Sequence, residues 1–591
     1  MTGRGYGVYR PVLPAVCPTD PDLMVYAGDA EGRCEIFTWD RATAVPRQVT
    51  DRPHGTLLSA IDGDAAVWWF DEDRRGQGHW RVQDFGGGPH TPAFPGAAPG
   101  RPRGLAMTDR GVVAAGLGDP EGLRVHLGRR GGPDTVVLRA GRHARLCDLA
   151  PRGDLLAVSG PAHSARAVTL AAPDGTTVAT LSGATGRIWA LGFSPGSADP
   201  LLLVMCERDG RYRLGTWRLP DGVELYPWCS FGTETTARWY PDGERILLRQ
   251  DRHGRSRLFT ADPARRTVTA LPVPVGSVLD AAPRTGGDVH YIWTDAVTPP
   301  RTMSLSGARL PGQDGWRLPT FGRHQDLWTP GPDGPVHTLV TTPADRPQPC
   351  PLVFLVHGGP AGHDRDAYDP MVQSLVGSGF AVARVNYRGS TGYGPSWRAA
   401  YTEGVGHTQV ADLVRVRAEL LRRGIGREGA VGLCGTSWGG YLVLLALGTH
   451  PELWNSGVAV KPVADCATSF RHSTPALQAL DTALFGGTPD QVPERYARAS
   501  PATCAGSVRS PLLIVAARND AKCPPEQIEV YLAALRAGSV RHELLWLDSG
   551  HDGYDGAEHV AVMERSLRFL GRSLAGSPAR DTPAPDVPAP Q

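Results

Sequence analysis

Within Val431–Tyr441, VGLCGTSWGGY, an apolar strand-like run, a tight turn and the opening of an apolar helix follow one another with no spacer. No other stretch restricts the fold so far. Gly435-Thr436-Ser437-Trp438-Gly439 fits the G-x-S-x-G nucleophile elbow, a strained strand-to-helix turn that exposes a serine at the end of a sheet. The flanking glycines follow from sterics. A side chain at either would collide with the neighbouring strand or helix, and glycine tolerates the strained backbone.

The surrounding sequence supplies the rest of such a sheet. DLWTPG and VHTLVTTP, from Asp326 and Val336, look like paired strands. PLVFLVHGG, from Pro351, is an apolar run of the kind buried in parallel sheets. FAVARVNYRG, AVGLCG, WNSGVAVKP, PLLIVAA and HELLWLD are further strand candidates. MVQSLVGSG, VADLVRVRAELLRR, YLVLLALGTH, PEQIEVYLAALRAG and AEHVAVMERSLRFLGR read as helices among them. This alternation predicts a doubly wound sheet with its reactive loops at the strand carboxyl ends.

Two titratable groups fall on those loops. Asp520 follows PLLIVAA in ARNDAKCP, and His551 follows HELLWLD in DSGHDGY. The order Ser437, Asp520, His551 is that of α/β hydrolases, and spacings of 83 and 31 residues each leave room for a strand and a helix. One G-x-S-x-G is a weak signal among 73 glycines. An acid and a base after two successive strand candidates make coincidence a poor explanation. Asp548, Asp552 and Asp555 read as solvated loop acids. The expected chemistry is acyl transfer: Ser437 attacks a carbonyl, His551 takes and returns the proton, and Asp520 orients the imidazole. The oxyanion is expected on the backbone N–H of Trp438 and that of Gly359, in the glycine-rich loop His357-Gly358-Gly359-Pro360.

The first half has a different texture. From about residue 20 to 310, short alternating runs are broken by Gly, Pro and Asp turns. The clearest unit is Ala237–Asp262, with an aromatic strand, a Pro-Asp-Gly turn, the strand ILL and a second hairpin. Weaker copies begin at Pro18, Leu57, Gly104, Ala150, Ala190 and Ala281. They recur about every forty-odd residues, the period of a four-stranded propeller blade, so seven blades are expected. A pair of β-sandwiches is the alternative, although sandwiches seldom repeat one turn in register. Trp68, Trp69 and Trp80 read as blade core; beside Asp71, Glu72 and Asp73 they could instead face the cavity and hold a substrate amine.

The expectation is therefore two domains: an all-β propeller over residues 1–320 serving as a lid, and an α/β-hydrolase fold over 321–575. A Pro- and Ala-rich tail, 576–591, is expected to be disordered. A formal net charge of +1 argues against nucleic acid or an anionic membrane as partner. The cations are almost all arginine, the only lysines being Lys461 and Lys522. Ten scattered cysteines without a C-x-x-C pair suggest neither a disulfide framework nor a zinc site. The opening MTGRGYGVYRPVLP lacks an apolar signal core, and no run reaches membrane-span length, so the cytoplasm is the expected location. Without H-E-x-x-H, a P-loop or a Rossmann glycine pattern, no metal or cofactor is expected.

Four pieces resemble the prolyl oligopeptidase family of serine peptidases, in its acylaminoacyl-peptidase-like branch: HGGPAG at His357, NYRGSTGYG at Asn386, GTSWGGY at Gly435 and GHDGY at Gly550. The likeness spans residues 326 to 573; the first half agrees in architecture more than in sequence. It implies cleavage of short peptides, with the propeller limiting substrate size. It also implies a pocket near His357, Arg388, Lys522 and Cys523. Trp438 and Cys523 would border the first specificity pocket, Cys523 standing where valine is more usual. Lys522 stands where the family often has an arginine that binds a substrate carbonyl, and lysine cannot form the bidentate fork. Arg388 and Tyr393 read more as braces of the loop than as substrate contacts. The expected partner is a small peptide, with a homo-oligomer left open. The competing readings are an esterase or amide hydrolase acting on a small metabolite, and a propeller scaffold with a retired hydrolase domain.

Overall fold

The computed structural model of the protein describes residues 12–31, 33–73, 76–197, 199–311, 321–551 and 556–574. The expected tail, 576–591, and most of the opening segment lie outside the described residues, as do 312–320, within the Gly-, Pro- and Arg-rich stretch 309–325 expected to be the domain boundary.

The first half forms seven antiparallel sheets, each made of strands consecutive in sequence. Six have four strands; the seventh has three, Ser277–Pro283, Val289–Thr294 and Arg301–Ser304. The seven sequence copies all occupy one place, the connection from a blade's first strand to its second. Side-chain hydrogen bonding explains why this turn repeats. Asp242, between Thr235–Trp239 and Ile246–Arg252, accepts from the N–H groups of Glu244 at 2.9 Å and Arg245 at 3.1 Å. Asp62, between Ser59–Ile61 and Ala66–Glu72, accepts from those of Asp64 at 3.1 Å and Ala66 at 2.8 Å. Both are Asx-type turns that fix the hairpin locally.

The propeller's apolar cores lie between the blades. Trp68, Phe70 and Val82 of the second blade meet Val113 and Leu117 of the third, and Leu203, Met205 and Leu214 of the fifth meet Ile246 and Leu248 of the sixth. Trp68, Trp69 and Trp80 are buried, and Asp71 pairs with Arg52 at 2.7 Å and Arg81 at 3.5 Å. The tryptophans are core, and the amine-binding alternative finds no support. Among the described residues no strand is shared between the ring's two ends. Leu13 packs on Ala282 and Ile292 of the seventh blade, Leu310 packs on Met24 and Trp39 of the first, and Arg284 donates to the Pro14 carbonyl at 2.8 Å.

The second half is one eight-stranded sheet. Its strands are β1 (Arg323–Thr329), β2 (Val336–Thr342), β3 (Cys350–Val356), β4 (Ala381–Asn386), β5 (Gly426–Thr436), β6 (Ser456–Val460), β7 (Leu512–Ala517) and β8 (His542–Leu547). Their spatial order is β1-β2-β4-β3-β5-β6-β7-β8, parallel from β4 onward. Helices α1 (Pro370–Gly377), α2 (Pro395–Arg398), α3 (His407–Arg422), α4 (Trp438–Thr449), α5 (Cys466–His472), α6 (Pro475–Phe485), α7 (Pro493–Ala499), α8 (Pro525–Ala537) and α9 (Gly556–Leu574) complete it. Residues of α3, α4 and α8 fill one face of the sheet, and those of α1 and α9 the other. This is the α/β-hydrolase arrangement. Helices α5 to α7 were not foreseen: each is short, and two open on a proline at the first helical turn.

The fifth and sixth blades meet the hydrolase domain through arginine–carboxylate contacts. Arg398 of α2 reaches Glu207 at 2.6 Å and Glu234 at 3.1 Å. Arg255 of the sixth blade pairs with Asp326 at 2.6 Å and Asp366 at 2.9 Å. Glu234 also accepts from the Gly392 N–H at 2.5 Å, and the His253 N–H donates to the Gly392 carbonyl at 3.0 Å. The propeller thus holds the loop that follows β4, at the carboxyl end of the sheet.

Candidate active site

The elbow forms between β5 and α4. Ser437 sits at φ 59°, ψ −120°, a strained conformation for a residue with a side chain. A Cβ on Gly439 would lie 2.0 Å from the Val356 carbonyl oxygen, and one on Gly435 would lie 2.5 Å from the Gly439 backbone. Both glycines are therefore required by close approach, as the sterics of the turn predict. The Ser437 N–H donates to the Val460 carbonyl at 2.9 Å, tying the elbow to β6.

Asp520 and His551 come to this serine from the loops after β7 and β8. His551 Nδ1 lies 2.7 Å from Asp520 Oδ2, and His551 Nε2 lies 3.0 Å from Ser437 Oγ. The tautomer that satisfies both contacts carries its proton on Nδ1, which donates to Asp520, and accepts from the serine hydroxyl at Nε2. Asp520 is held from its other side, Oδ1 accepting from the N–H groups of Lys522 at 2.8 Å and Cys523 at 2.7 Å. Its carboxylate plane is thereby fixed before the imidazole meets it.

The oxyanion candidates lie together. The Trp438 N–H opens α4, where an N–H has no intrahelical acceptor. A Cβ on Gly358 would lie 3.8 Å from Ser437 Cβ, so the 358–359 loop runs beside the nucleophile. His357 fixes that loop. Its Nδ1 lies 2.8 Å from the Gly358 carbonyl, its Nε2 lies 2.9 Å from Ser390 Oγ, and its ring stacks on Tyr387 at 4.2 Å. Burial pushes the imidazole down to about 4, so it stays neutral. Both ring nitrogens are occupied, and this residue, expected in the pocket, shapes the loop instead.

Arg388 stands where the brace reading, not the pocket one, would put it. It is 1% exposed, and its guanidinium meets Asp412 at 2.8 Å, Asp333 at 2.6 Å and Glu403 at 3.2 Å. With Thr402 and the Thr408 carbonyl also accepting from it, it braces the loop from behind. Burial pushes the Asp412 carboxyl up, against the pull of Arg388. Of the other two expected pocket residues, Lys522 is exposed and Cys523 is buried. Burial, then the Asp520 charge, hold the Cys523 thiol well above the ordinary thiol range, and the Ser437 hydroxyl lies beside it. Its sulfur and the nearest donor atoms of Asp520 and His551 lie within 4.8 Å of one another. The sequence reading missed Tyr387 and Ser390 as holders of His357, although both lie inside NYRGSTGYG.

This sheet order, with a serine on the elbow after its fifth strand and a ring of blades against the sheet's carboxyl edge, defines an α/β hydrolase with an N-terminal propeller. Residues 367–577, which lie within the hydrolase half, match the prolyl oligopeptidase family. Among curated relatives, the acylamino-acid-releasing enzyme of Sus scrofa is 30% identical over 35% of this chain and 29% of its own length. The human acylamino-acid-releasing enzyme is 27% identical over 52% of this chain and 45% of its own length. Dipeptidyl aminopeptidase BIII of Pseudoxanthomonas mexicana is 28% identical over 39% of this chain and 34% of its own length. The chain thus spans less than half the length of these relatives, which support the acylaminoacyl-peptidase-like branch. In fold the likeness runs end to end. A Mycobacterium tuberculosis puromycin-hydrolyzing peptidase superposes with a TM-score of 0.82 at 20% identity, covering 98% of this chain and 96% of its own. A Pyrococcus horikoshii acylaminoacyl peptidase gives 0.75 at 15% identity, covering 96% and 97%.

Proposed function

We propose that this protein is a serine peptidase that hydrolyses short peptides through an acyl-enzyme. The observation that carries the reading is the contact of His551 with both Ser437 and Asp520, at 3.0 Å and 2.7 Å. Ser437 Oγ attacks the scissile carbonyl as His551 Nε2 takes its proton. The imidazolium, stabilised by Asp520, then returns that proton to the leaving amine, and a water repeats the sequence to release the acid. The N–H groups of Trp438 and Gly359 receive the oxyanion; losing one such donor typically costs about 10²–10³ in rate. Cys523, touching the nucleophile, and Trp438 border the position of the residue whose carbonyl is attacked. Blades packed on the loop after β4 restrict entry, which favours oligopeptides over folded proteins. Free thiols at all ten cysteines fit a reducing cytoplasm, and among the described residues no helix is long and apolar enough to cross a membrane.

The test combines a fluorophosphonate label with a substrate panel. Wild type is expected to label and Ser437→Ala not to. Aminoacyl and N-acyl-aminoacyl anilides are expected to turn over alongside short-chain esters. Ester turnover with no anilide or peptide cleavage would replace the reading by an esterase, and absence of label on folded wild type would favour a scaffold.

A further inference from the structure

The catalytic His551 stands on the least protected part of the sheet. Strand β8 is the edge strand and is only half-buried along most of its length. An imidazole on a loop leaving such a strand needs a restraint beyond its bond to Asp520.

Lys461 supplies one. It immediately follows β6, beside the elbow strand β5, and is 8% exposed. Its N–H donates to the Val515 carbonyl of β7 at 2.6 Å, and its φ is 45°, which turns the chain back at the strand end. The side chain crosses beneath the histidine loop. Its ammonium meets the Gly550 carbonyl at 2.7 Å, the His551 carbonyl at 3.3 Å and Ser549 Oγ at 3.3 Å. An ammonium has three donors, and three acceptors surround it. Glu558 of α9 lies farther, at 3.9 Å, and accepts from the Ser549 hydroxyl. The carboxylate is the outer member of the cluster; the loop backbone is the inner one.

The residue type fits the task. The chain has 61 basic residues, of which only Lys461 and Lys522 are lysine. A planar guanidinium fork suits carboxylates but does not fit three divergent acceptors around one point, whereas a compact ammonium does. We propose that Lys461 is a positioning residue for the reaction: its ammonium clamps the backbone of Ser549–His551 so that Nε2 rests against Ser437 Oγ. The inference depends on the peptidase reading only for what the clamp serves.

The test uses the full chain, with kcat per active site after fluorophosphonate titration. Lys461→Met is expected to lower kcat per titrated site by about 10- to 100-fold, the usual cost of a misplacement near 1 Å, with KM within about two-fold. A merely structural lysine would lower the titre and leave the per-site rate unchanged, and that result would overturn the clamp. Lys461→Arg is expected to recover little; full recovery would show that charge alone suffices. Ser549→Ala, which removes one acceptor, is expected to cost about two- to five-fold in kcat. A second readout is independent of substrate: the low-field proton resonance of the His551–Asp520 hydrogen bond, identified by its loss in His551→Ala. It should be present in wild type and lost or broadened in Lys461→Met. An unchanged resonance refutes the clamp even if no peptide is ever cleaved, while failure of wild type to label refutes the peptidase reading alone.

Discussion

The two halves of this molecule put their interiors to different use. The propeller divides its core into separate seams, one for each pair of neighbouring blades, and each seam draws on two short stretches of sequence. The hydrolase domain gathers its core around one sheet, and its buried charges converge on the loops beside Ser437. Glu35, fully buried in the first blade, is satisfied within its own blade by Thr50 and the Arg52 N–H. Arg388 draws partners from three segments, at Asp333, Glu403 and Asp412. A unit that is repeated can be damaged locally. A site assembled from distant segments transmits damage to its chemistry.

The largest expected effects lie in the hydrolase half. Ser437→Ala should reduce turnover by about 10⁴–10⁶-fold, as removal of a triad serine does elsewhere. Ser437→Gly should be as inactive yet more stable than the alanine variant by about 1 kcal/mol, since glycine relieves the positive φ. Urea midpoints of the two variants test this; equal midpoints would mean the elbow stores no such strain. Next comes Arg388→Met. It leaves the buried Asp412 with only the partly exposed Arg415, at 3.3 Å, as cationic partner and should cost up to about 3–5 kcal/mol in urea unfolding, with loss of activity from a residue that never meets substrate. A cost below about 1 kcal/mol would mean that Arg415 alone neutralises Asp412.

The same contrast governs what could be read from the sequence. Seven blades were legible because a turn rich in Pro, Gly and Asp recurs between the first two strands of each, and in the first, second and sixth an Asp side chain binds the turn's own N–H groups. Ser437, Asp520 and His551 were legible because each follows an apolar strand, and the glycines of the elbow are dictated by contacts at 2.0 and 2.5 Å. The role of Arg388 was half legible: it stands in the recognised NYRGSTGYG loop, but its Asp412 partner is on α3, with nothing in the sequence linking the two. Lys461 was visible as a rarity and its purpose was not, because its three acceptors lie 88 to 90 residues away. Helices α5 and α7 escaped notice because seven residues are too few to set up a period; α6, PALQALDTALF, carries apolar residues throughout and was simply not read.

Smaller effects should separate the halves again. Leu310→Ala opens a cavity at the ring's closing seam, where Leu310 meets Met24 and Trp39. It should cost about 2–3 kcal/mol and appear as faster limited proteolysis of the first and last blades, with the per-site kcat of the hydrolase domain unchanged. Leu445→Ala in the nucleophile helix α4, of similar chemistry, should instead lower both stability and the yield of labelled sites. If Leu310→Ala abolishes labelling, the seams are not the local units described.

The smallest effect concerns two half-buried acids, one in each half. Burial pushes Asp148 in the propeller up to about 6, although the N–H groups of Leu149 and Phe193 bind its carboxylate. Asp481 on α6 is pushed up to about 7 by burial alone. A raised carboxyl favours the folded state while it is protonated. That contribution is complete below about pH 4, the ordinary aspartate range, and fades as pH rises through about 6 for Asp148 and about 7 for Asp481. Wild type should therefore lose stability from about pH 4 to about pH 7 and level off above that. Asp481→Asn should flatten the upper part of that slope, by on the order of 1 kcal/mol after solvent screening. Asp148→Asn should flatten the lower part, and by less, because the two amides already favour its ionised form. Thermal midpoints across that range decide the matter: parallel curves for wild type and Asp481→Asn would mean that this carboxyl ionises freely in the folded protein.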